Sequence, residues 1–342
     1  MRRETNSMQV KRFFKYFGIG IAILIGGVLV AGQIAHYSVP VVEPPGKIYS
    51  VNGTEMHLYC TGPENDAQPT VIIITGAGTP SPLYHPLQED LSQSIRTCSY
   101  DRAGTGWSES NNIPANAKNM SDELYQLLQV ANIDGPIILA GHSLGGIVSL
   151  IYSSEHEDHV AGIAFIDSSH YNQYDYFGNE FRESIYAQNK ELAASFWLVE
   201  LVSKSGILNL MGFIMGHPAE SVIDEDIQRM VVYFDTWAPP YDAVKSEIVN
   251  LELSFEQGRE AHYNRGDLPI ISISASDHDM TFFPKTGPTE QEMDEAFQSF
   301  REELADLSNN GRHVVVEGTD HISIVYNEDT AEHILSLIGD YS

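Results

Sequence analysis

The chain has 342 residues, 42% of them hydrophobic, which is enough for a sizeable core and too apolar for a disordered polymer. Acidic residues number 47 against 19 basic ones, a formal charge of −28. Five of the bases (Arg2, Arg3, Lys11, Arg12, Lys15) lie in residues 1–16 with a single acid, Glu4, so the rest of the chain carries 14 bases against 46 acids, or −32, and repels nucleic acid and anionic headgroups.

The first predicted element follows that basic tail. From Phe17 to Ala35 the only side chain with strong hydrogen-bonding groups is Gln33. A helix of ~19 residues at ~1.5 Å per residue covers most of a ~30 Å hydrocarbon core. Residues 17–35 are therefore expected to span a membrane. The preceding bases place the N-terminus in the cytoplasm and everything after Ala35 outside. A cleaved signal peptide is the competing reading, with Val30-Ala31-Gly32 as an imperfect cleavage site. Residues 36–46 (HYSVPVVEPPG) read as an extended spacer.

Beyond the spacer, strand and helix signals alternate. Lys47–Val51 and Glu55–Tyr59 flank Asn52-Gly53, a dipeptide favoured in tight hairpins. Thr70–Thr75 is an apolar strand, Tyr84–Gln93 a helix, and Thr97–Tyr100 a short strand. Met120–Ala131 is apolar at helical spacing. Pro136–Ala140 is a buried strand, Ser143–Ser154 a helix, and Val160–Ile166 a strand. Continuous apolar strands between helices indicate a parallel sheet covered on both faces. The alternation lapses over residues 168–267, where apolar residues follow helical spacing. It resumes with strand Leu268–Ser274, helix Gln291–Leu307, strand His313–Glu317 and closing helix Glu328–Ile338.

Gly141-His142-Ser143-Leu144-Gly145-Gly146 lies between a buried strand and a helix. That is the context the G-x-S-x-G pattern requires. A nucleophilic serine must stand on a strained turn, and side chains two residues either side would collide. Ser143 is the candidate nucleophile, and Leu144 N–H, at the helix start, is the first candidate oxyanion donor. Ala77 N–H, in the small-residue loop Thr75-Gly76-Ala77-Gly78, is the second. Adjacent to Ser143, His142 diverges from it and is expected to pack beneath the turn. His321 follows the strand His313–Glu317 through a short loop and is the candidate base. The orienting acid is expected to be Asp277, just beyond the strand Leu268–Ser274, with Asp167 and Asp279 as alternatives.

These features resemble the α/β-hydrolase superfamily over residues 47–342. The run Ser99-Tyr100-Asp101-Arg102-Ala103-Gly104-Thr105-Gly106-Trp107-Ser108 is similar to that family's segment after the fourth strand. The resemblance implies an α/β fold with an eight-stranded, mostly parallel sheet whose second strand is antiparallel. The core would be residues 47–167 and 268–342, and a helical cap (168–267) would be inserted after strand six. Asp101 and Arg102 would buttress the loop near the site. Cys60 and Cys98 would lie on neighbouring antiparallel strands, where a disulfide is geometrically possible; two buried thiols are the other reading. Two departures stand out. Thr75 occupies the family's oxyanion histidine position, and the strand-seven loop (Ser-Ala-Ser-Asp-His-Asp) lacks the usual glycine before its acid.

A serine rather than an aspartate nucleophile argues against dehalogenase and epoxide-hydrolase chemistry and leaves acyl chemistry. The expected activity is hydrolysis of a carboxylic ester or related acyl bond of a small, apolar substrate. No metal or cofactor is implied. Two alternatives are an aminopeptidase-like amide hydrolase and a non-catalytic membrane-tethered receptor. Phe181, Phe196, Trp197, Leu198, Leu201, Leu208, Leu210, Met211, Phe213 and Met215 either bury the cap on the core or line an acyl pocket.

Overall fold

A computed structural model describes residues 2–65, 67–215, 230, 233–234, 241–277 and 288–341. The elements run in chain order α1 (Arg2–Tyr37), β1 (Lys47–Val51), β2 (Thr54–Thr61), β3 (Thr70–Ile74), α2 (His85–Ser92), β4 (Thr97–Tyr100) and α3 (Ala117–Val130). Then come β5 (Ile137–His142), α4 (Leu144–Glu155), β6 (Val160–Ile166), α5 (Asn179–Lys204), α6 (Ile207–Met215), α7 (Tyr241–Val249) and α8 (Leu251–Glu260). The chain closes with β7 (Ile270–Ala275), α9 (Glu290–Ala305), β8 (Gly311–Val316) and α10 (Glu328–Tyr341).

The eight strands form one sheet in the order β1-β2-β4-β3-β5-β6-β7-β8. β2 pairs antiparallel with β1 and β4, and every later pairing is parallel. The β1–β2 hairpin turns at Asn52-Gly53, both with positive φ (50° and 86°), as a two-residue turn of mirror-image type requires. Alternate residues of each central strand feed two cores. Ile72, Ile74, Leu139 and Phe165 pack with Leu124, Leu127, Ile147 and Val148 of α3 and α4. Val71, Ile73, Ala140 and Ile271 pack with Leu87 and Leu91 of α2 and Ile334 and Leu337 of α10 on the other face. Burial on both faces explains why these strands read as unbroken apolar runs.

Cys60 and Cys98 stand opposite each other on β2 and β4 and are joined by a disulfide with Cα atoms 4.0 Å apart. Between β6 and β7 the regular elements among the described residues are all helices.

Two compact units are distinguishable. One comprises residues 1–42 and 195–239, the other residues 43–194 and 240–342. The second holds the whole sheet. The first contains α1, whose stretch Lys11–Tyr37 is long and apolar enough to cross a membrane, with a mean hydropathy of 2.2. The α1 helix is longer at both ends than the apolar run 17–35 that predicts it.

The cap side chains do not follow either sequence expectation uniformly. Phe181 is buried, while Trp197, Leu198, Leu201, Met211 and Phe213 are exposed to solvent.

Candidate active site

Parallel strands deliver the site. The β5–β6 register pairs His142 with Ile166, so the next residues, Ser143 and Asp167, leave adjacent strand ends side by side. Both have positive φ, 54° for Ser143 and 36° for Asp167, a conformation that non-glycine residues adopt at a cost of about 1–3 kcal/mol. The glycines around Ser143 make its turn possible. A Cβ on Gly141 would lie 2.4 Å from Ser149 Oγ, and one on Gly145 only 2.2 Å from the Ile74 carbonyl oxygen. Ser143 is partly exposed, and its carbonyl accepts from Gly146 N–H and Ser169 N–H, each at 3.0 Å.

His321 lies in the loop after β8. Asp320 Oδ1 caps the following turn by accepting from Ile322 N–H (2.9 Å) and Ser323 N–H (2.7 Å). The His321 Nδ1–H donates to Asp167 Oδ2 at 2.6 Å. Asp167 is only 7% exposed, and its other oxygen, Oδ1, accepts from Arg301 at 2.7 Å and from Ala275 N–H at 3.2 Å. Burial alone would raise the Asp167 pKa. The hydrogen bond from His321 and the Arg301 charge outweigh it and hold the carboxyl well below the usual carboxylate range.

The structure brings Asp167, the alternative acid, to His321, and not the expected Asp277. Asp277 is exposed, and it braces the histidine loop through its backbone, its N–H donating to Thr319 O at 2.9 Å. The shift has a simple physical origin. Asp167 leaves β6 next to the Ser143 turn, with a buried guanidinium to compensate its charge, whereas Asp277 faces water. Asp279 lies outside the described residues.

His142 sits directly under the site. Its ring centroid is 4.6 Å from that of His321. Tyr84 Oη accepts from Gly76 N–H (2.8 Å) and so donates its own proton to His142 Nδ1 (2.7 Å). That leaves His142 Nε2–H to donate to the His321 carbonyl at 2.8 Å. The neutral ring satisfies all of these bonds. Burial, with the His321 charge second, lowers its pKa to about 3. The relay therefore ties the loop after β3, the serine turn and the histidine loop together.

The loop Thr75–Gly78 is held from two sides. Arg102 is buried and donates to Thr75 O (2.7 Å), Thr75 Oγ1 (2.8 Å) and Gly76 O (2.6 Å), and its Nε donates to Glu247 Oε1 (2.9 Å). Glu247, buried on α7, accepts from Gly78 N–H at 2.6 Å through its second oxygen. The N–H groups on both sides of Ala77 are thus taken, by Tyr84 and by Glu247, and Ala77 itself is exposed. The loop touches the serine turn: a Cβ on Gly76 would come within 3.2 Å of Ser143 Cβ. Leu144 is the first residue of α4, so its N–H lacks a carbonyl one turn earlier within the helix.

The sequence reading missed Arg301, Tyr84 and Glu247. A faint signal existed for Glu247: a lone acid on an otherwise packable helix face calls for a buried cation, and Arg102 was already singled out. Among the described residues no cluster of three or more His, Cys, Asp or Glu side chains is arranged to hold a metal ion.

The strand order, the strained serine between β5 and α4, and the helices between β6 and β7 define the α/β-hydrolase fold. The family described as the alpha/beta hydrolase fold matches residues 69–202, and the chain has that fold. It is similar to an uncharacterized protein of Schizosaccharomyces pombe, with 27% identity over 157 residues, covering 37% of this chain and 29% of that protein. The chain spans less than half the length of the first curated relatives it matches (29, 47 and 15%). Among solved structures it shares its fold with Cfl2 from Burkholderia cenocepacia (TM-score 0.63, 17% identity, 85% of this chain and 95% of that one). It also shares it with a thermophilic esterase from Thermogutta terrifontis (TM-score 0.59, 18% identity, 86% of this chain and 98% of that one).

Proposed function

We propose that the protein is a serine hydrolase that cleaves a carboxylic ester or related acyl bond through an acyl-enzyme. The observation that carries this reading is the buried Asp167 carboxylate bonded to His321 Nδ1, beside a serine held at positive φ. His321 Nε2 takes the proton of Ser143 Oγ as that oxygen attacks the substrate carbonyl. The N–H groups of Leu144 and Ala77 receive the developing oxyanion. As the tetrahedral intermediate collapses, the bond to the leaving oxygen breaks and His321 hands that oxygen the proton. Water, deprotonated by His321, then attacks the acyl-serine; the acid leaves and Ser143 regains its proton. Asp167 stays ionised throughout and keeps Nδ1 protonated, so that Nε2 can act as the base.

The membrane placement is part of the same proposal. The α1 helix anchors the protein, and the basic residues at its start favour an N-terminus in the cytoplasm and a catalytic body outside. The Cys60–Cys98 bond suits an oxidising exterior.

An aminopeptidase would need a free acid to clamp the substrate amine, and the buried cap acid Glu247 is already committed to Arg102 and Gly78. The test compares p-nitrophenyl acyl esters of increasing chain length with aminoacyl anilides. Ester turnover that exceeds anilide turnover and is lost in Ser143→Ala is expected. Anilide turnover alone, or ester turnover unchanged in Ser143→Ala, would overturn the proposal.

A further inference from the structure

We infer that the cap segment formed by the end of α5 and by α6 is a second membrane contact, seated in the headgroup layer of a phospholipid bilayer beside α1. This rests on the reading that α1 spans the membrane.

Three observations within this unit lead to it. The first is composition. The α6 sequence ILNLMGFIM has a single side chain capable of hydrogen bonding, that of Asn209. That group faces α1: His36 Nδ1 and Asn209 Oδ1 are 3.3 Å apart. The second is exposure. Phe213 is 86% exposed, Ile214 72% and Trp197 65%, with Leu201 and Met211 also open. Trp197 and Leu201 are one turn apart on α5, as Met211 and Ile214 are on α6, so the exposed residues form stripes rather than scattered points. A contiguous exposed apolar surface on a soluble body signals a binding face.

The third observation names the occupant. The break between α5 and α6 packs against α1 with almost no side chain between the two backbones. A Cβ on Gly206 would lie 2.2 Å from the Gly32 carbonyl oxygen, and one on Gly32 would lie 2.8 Å from the Ser205 carbonyl oxygen. Gln33 Nε2 donates to Lys204 O at 2.7 Å. These contacts involve only the last two turns of α1. Lys11–Tyr37 at ~1.5 Å per residue is ~40 Å long, against a hydrocarbon core of ~30 Å. His36, beyond the run 17–35, therefore sits at headgroup depth, with Gln33 at the edge of the hydrocarbon. A short apolar helix fixed to that depth, with Phe213 and Ile214 turned outward, has the character of an interfacial element. The α5 and α6 helices bend by 63° at the glycine, so they do not continue as one straight rod.

The full-length protein offers a clean test, because its two cysteines are bonded to each other and a single introduced thiol can be labelled. Phe213→Cys carrying an environment-sensitive fluorophore is reconstituted into phosphatidylcholine vesicles, with Met211→Cys as a second position if the first fails to fold. Leu24→Cys, at mid-span on α1, reports the anchor. Nitroxide-bearing phosphatidylcholine is expected to quench both labels, by about two-fold or more for a dye lying within the headgroup and upper acyl region. A label at 213 and 211 that is reached by aqueous iodide, or is dry yet untouched by nitroxide lipid as in a protein–protein contact, overturns the inference while Leu24 remains quenched. If Leu24 also escapes the lipid quencher, the anchor reading fails first.

Discussion

Asp167→Asn separates a working triad from three residues that merely lie near one another. Asp167 Oδ1 accepts from both Arg301 and Ala275 N–H, while Oδ2 faces His321 Nδ1. In the asparagine variant the amide oxygen must meet the two donors, since an NH2 there would oppose a guanidinium and a backbone N–H. The amide NH2 is then left facing His321 and donates to Nδ1. The imidazole proton moves to Nε2, the atom that should accept from Ser143. The shape of the site is preserved and its base is switched off. A wrong tautomer in a serine hydrolase costs about 10³–10⁴-fold in kcat, or about 4–5.5 kcal/mol of barrier. Asp277→Asn alters an exposed side chain and is expected to change kcat by less than about two-fold. Both are measured as steady-state hydrolysis of a p-nitrophenyl ester, with circular dichroism to confirm folding. A folded Asp167→Asn enzyme keeping more than about a tenth of wild-type turnover would refute the assignment. So would an Asp277→Asn enzyme that loses its activity.

Other outcomes follow from the same geometry. Glu247→Gln leaves the Arg102 guanidinium buried without its counter-charge; stability should fall by about 3–5 kcal/mol in urea melts, and kcat should drop about ten-fold or more as the Ala77 loop loosens, with KM little changed. Replacing Cys60 and Cys98 together by serine opens a loop with a sequence separation of 38 and should cost about 4 kcal/mol of stability; the reductant sensitivity of wild-type melting should vanish with it. Acid should destabilise the fold in two stages. His142 and His85 are held neutral chiefly by burial, with pKa values lowered to about 3 and about 4, although Asp101 pulls His85 the other way. Unfolding returns both to about 6.5, so their contribution is full above that pH and these two alone remove up to about 2.7 kcal/mol per pH unit, two protons' worth, between pH 6 and pH 4, with His170, lowered by burial to about 3, adding to the loss. Below about pH 4 the depressed Asp167 adds a further loss, because its unfolded carboxyl binds a proton before the folded one does. A urea midpoint that stays flat from pH 7 to pH 4 contradicts this.

Much of the fold is legible in the sequence because it is written in local pattern. Thr70–Thr75 and Pro136–Ala140, short apolar runs between turn and helix signals, read as strands buried on both faces, and Gly141 and Gly145 frame a turn that a methyl group would block. The candidate acid is not local. Whether Asp167 or Asp277 reaches His321 depends on the β5–β6 register and on a guanidinium from α9, more than 130 residues away in the chain. The clamp on Ala77 is equally non-local, since Glu247 reaches Gly78 across 169 residues. The surroundings of the apolar residues expected for the cap were not legible for a different reason. Hydrophobic spacing records that a face avoids water, and it says nothing of whether protein or lipid replaces it.

The most direct test of the account is the intact mass of the protein after reaction with a fluorophosphonate, followed by peptide mapping. A single phosphonyl adduct on Ser143 Oγ is expected, formed quickly in wild type and Asp277→Asn, slowly in Asp167→Asn and His321→Ala, and never in Ser143→Ala. Folded wild-type protein that takes up no adduct, or that carries it on another side chain, contradicts the account.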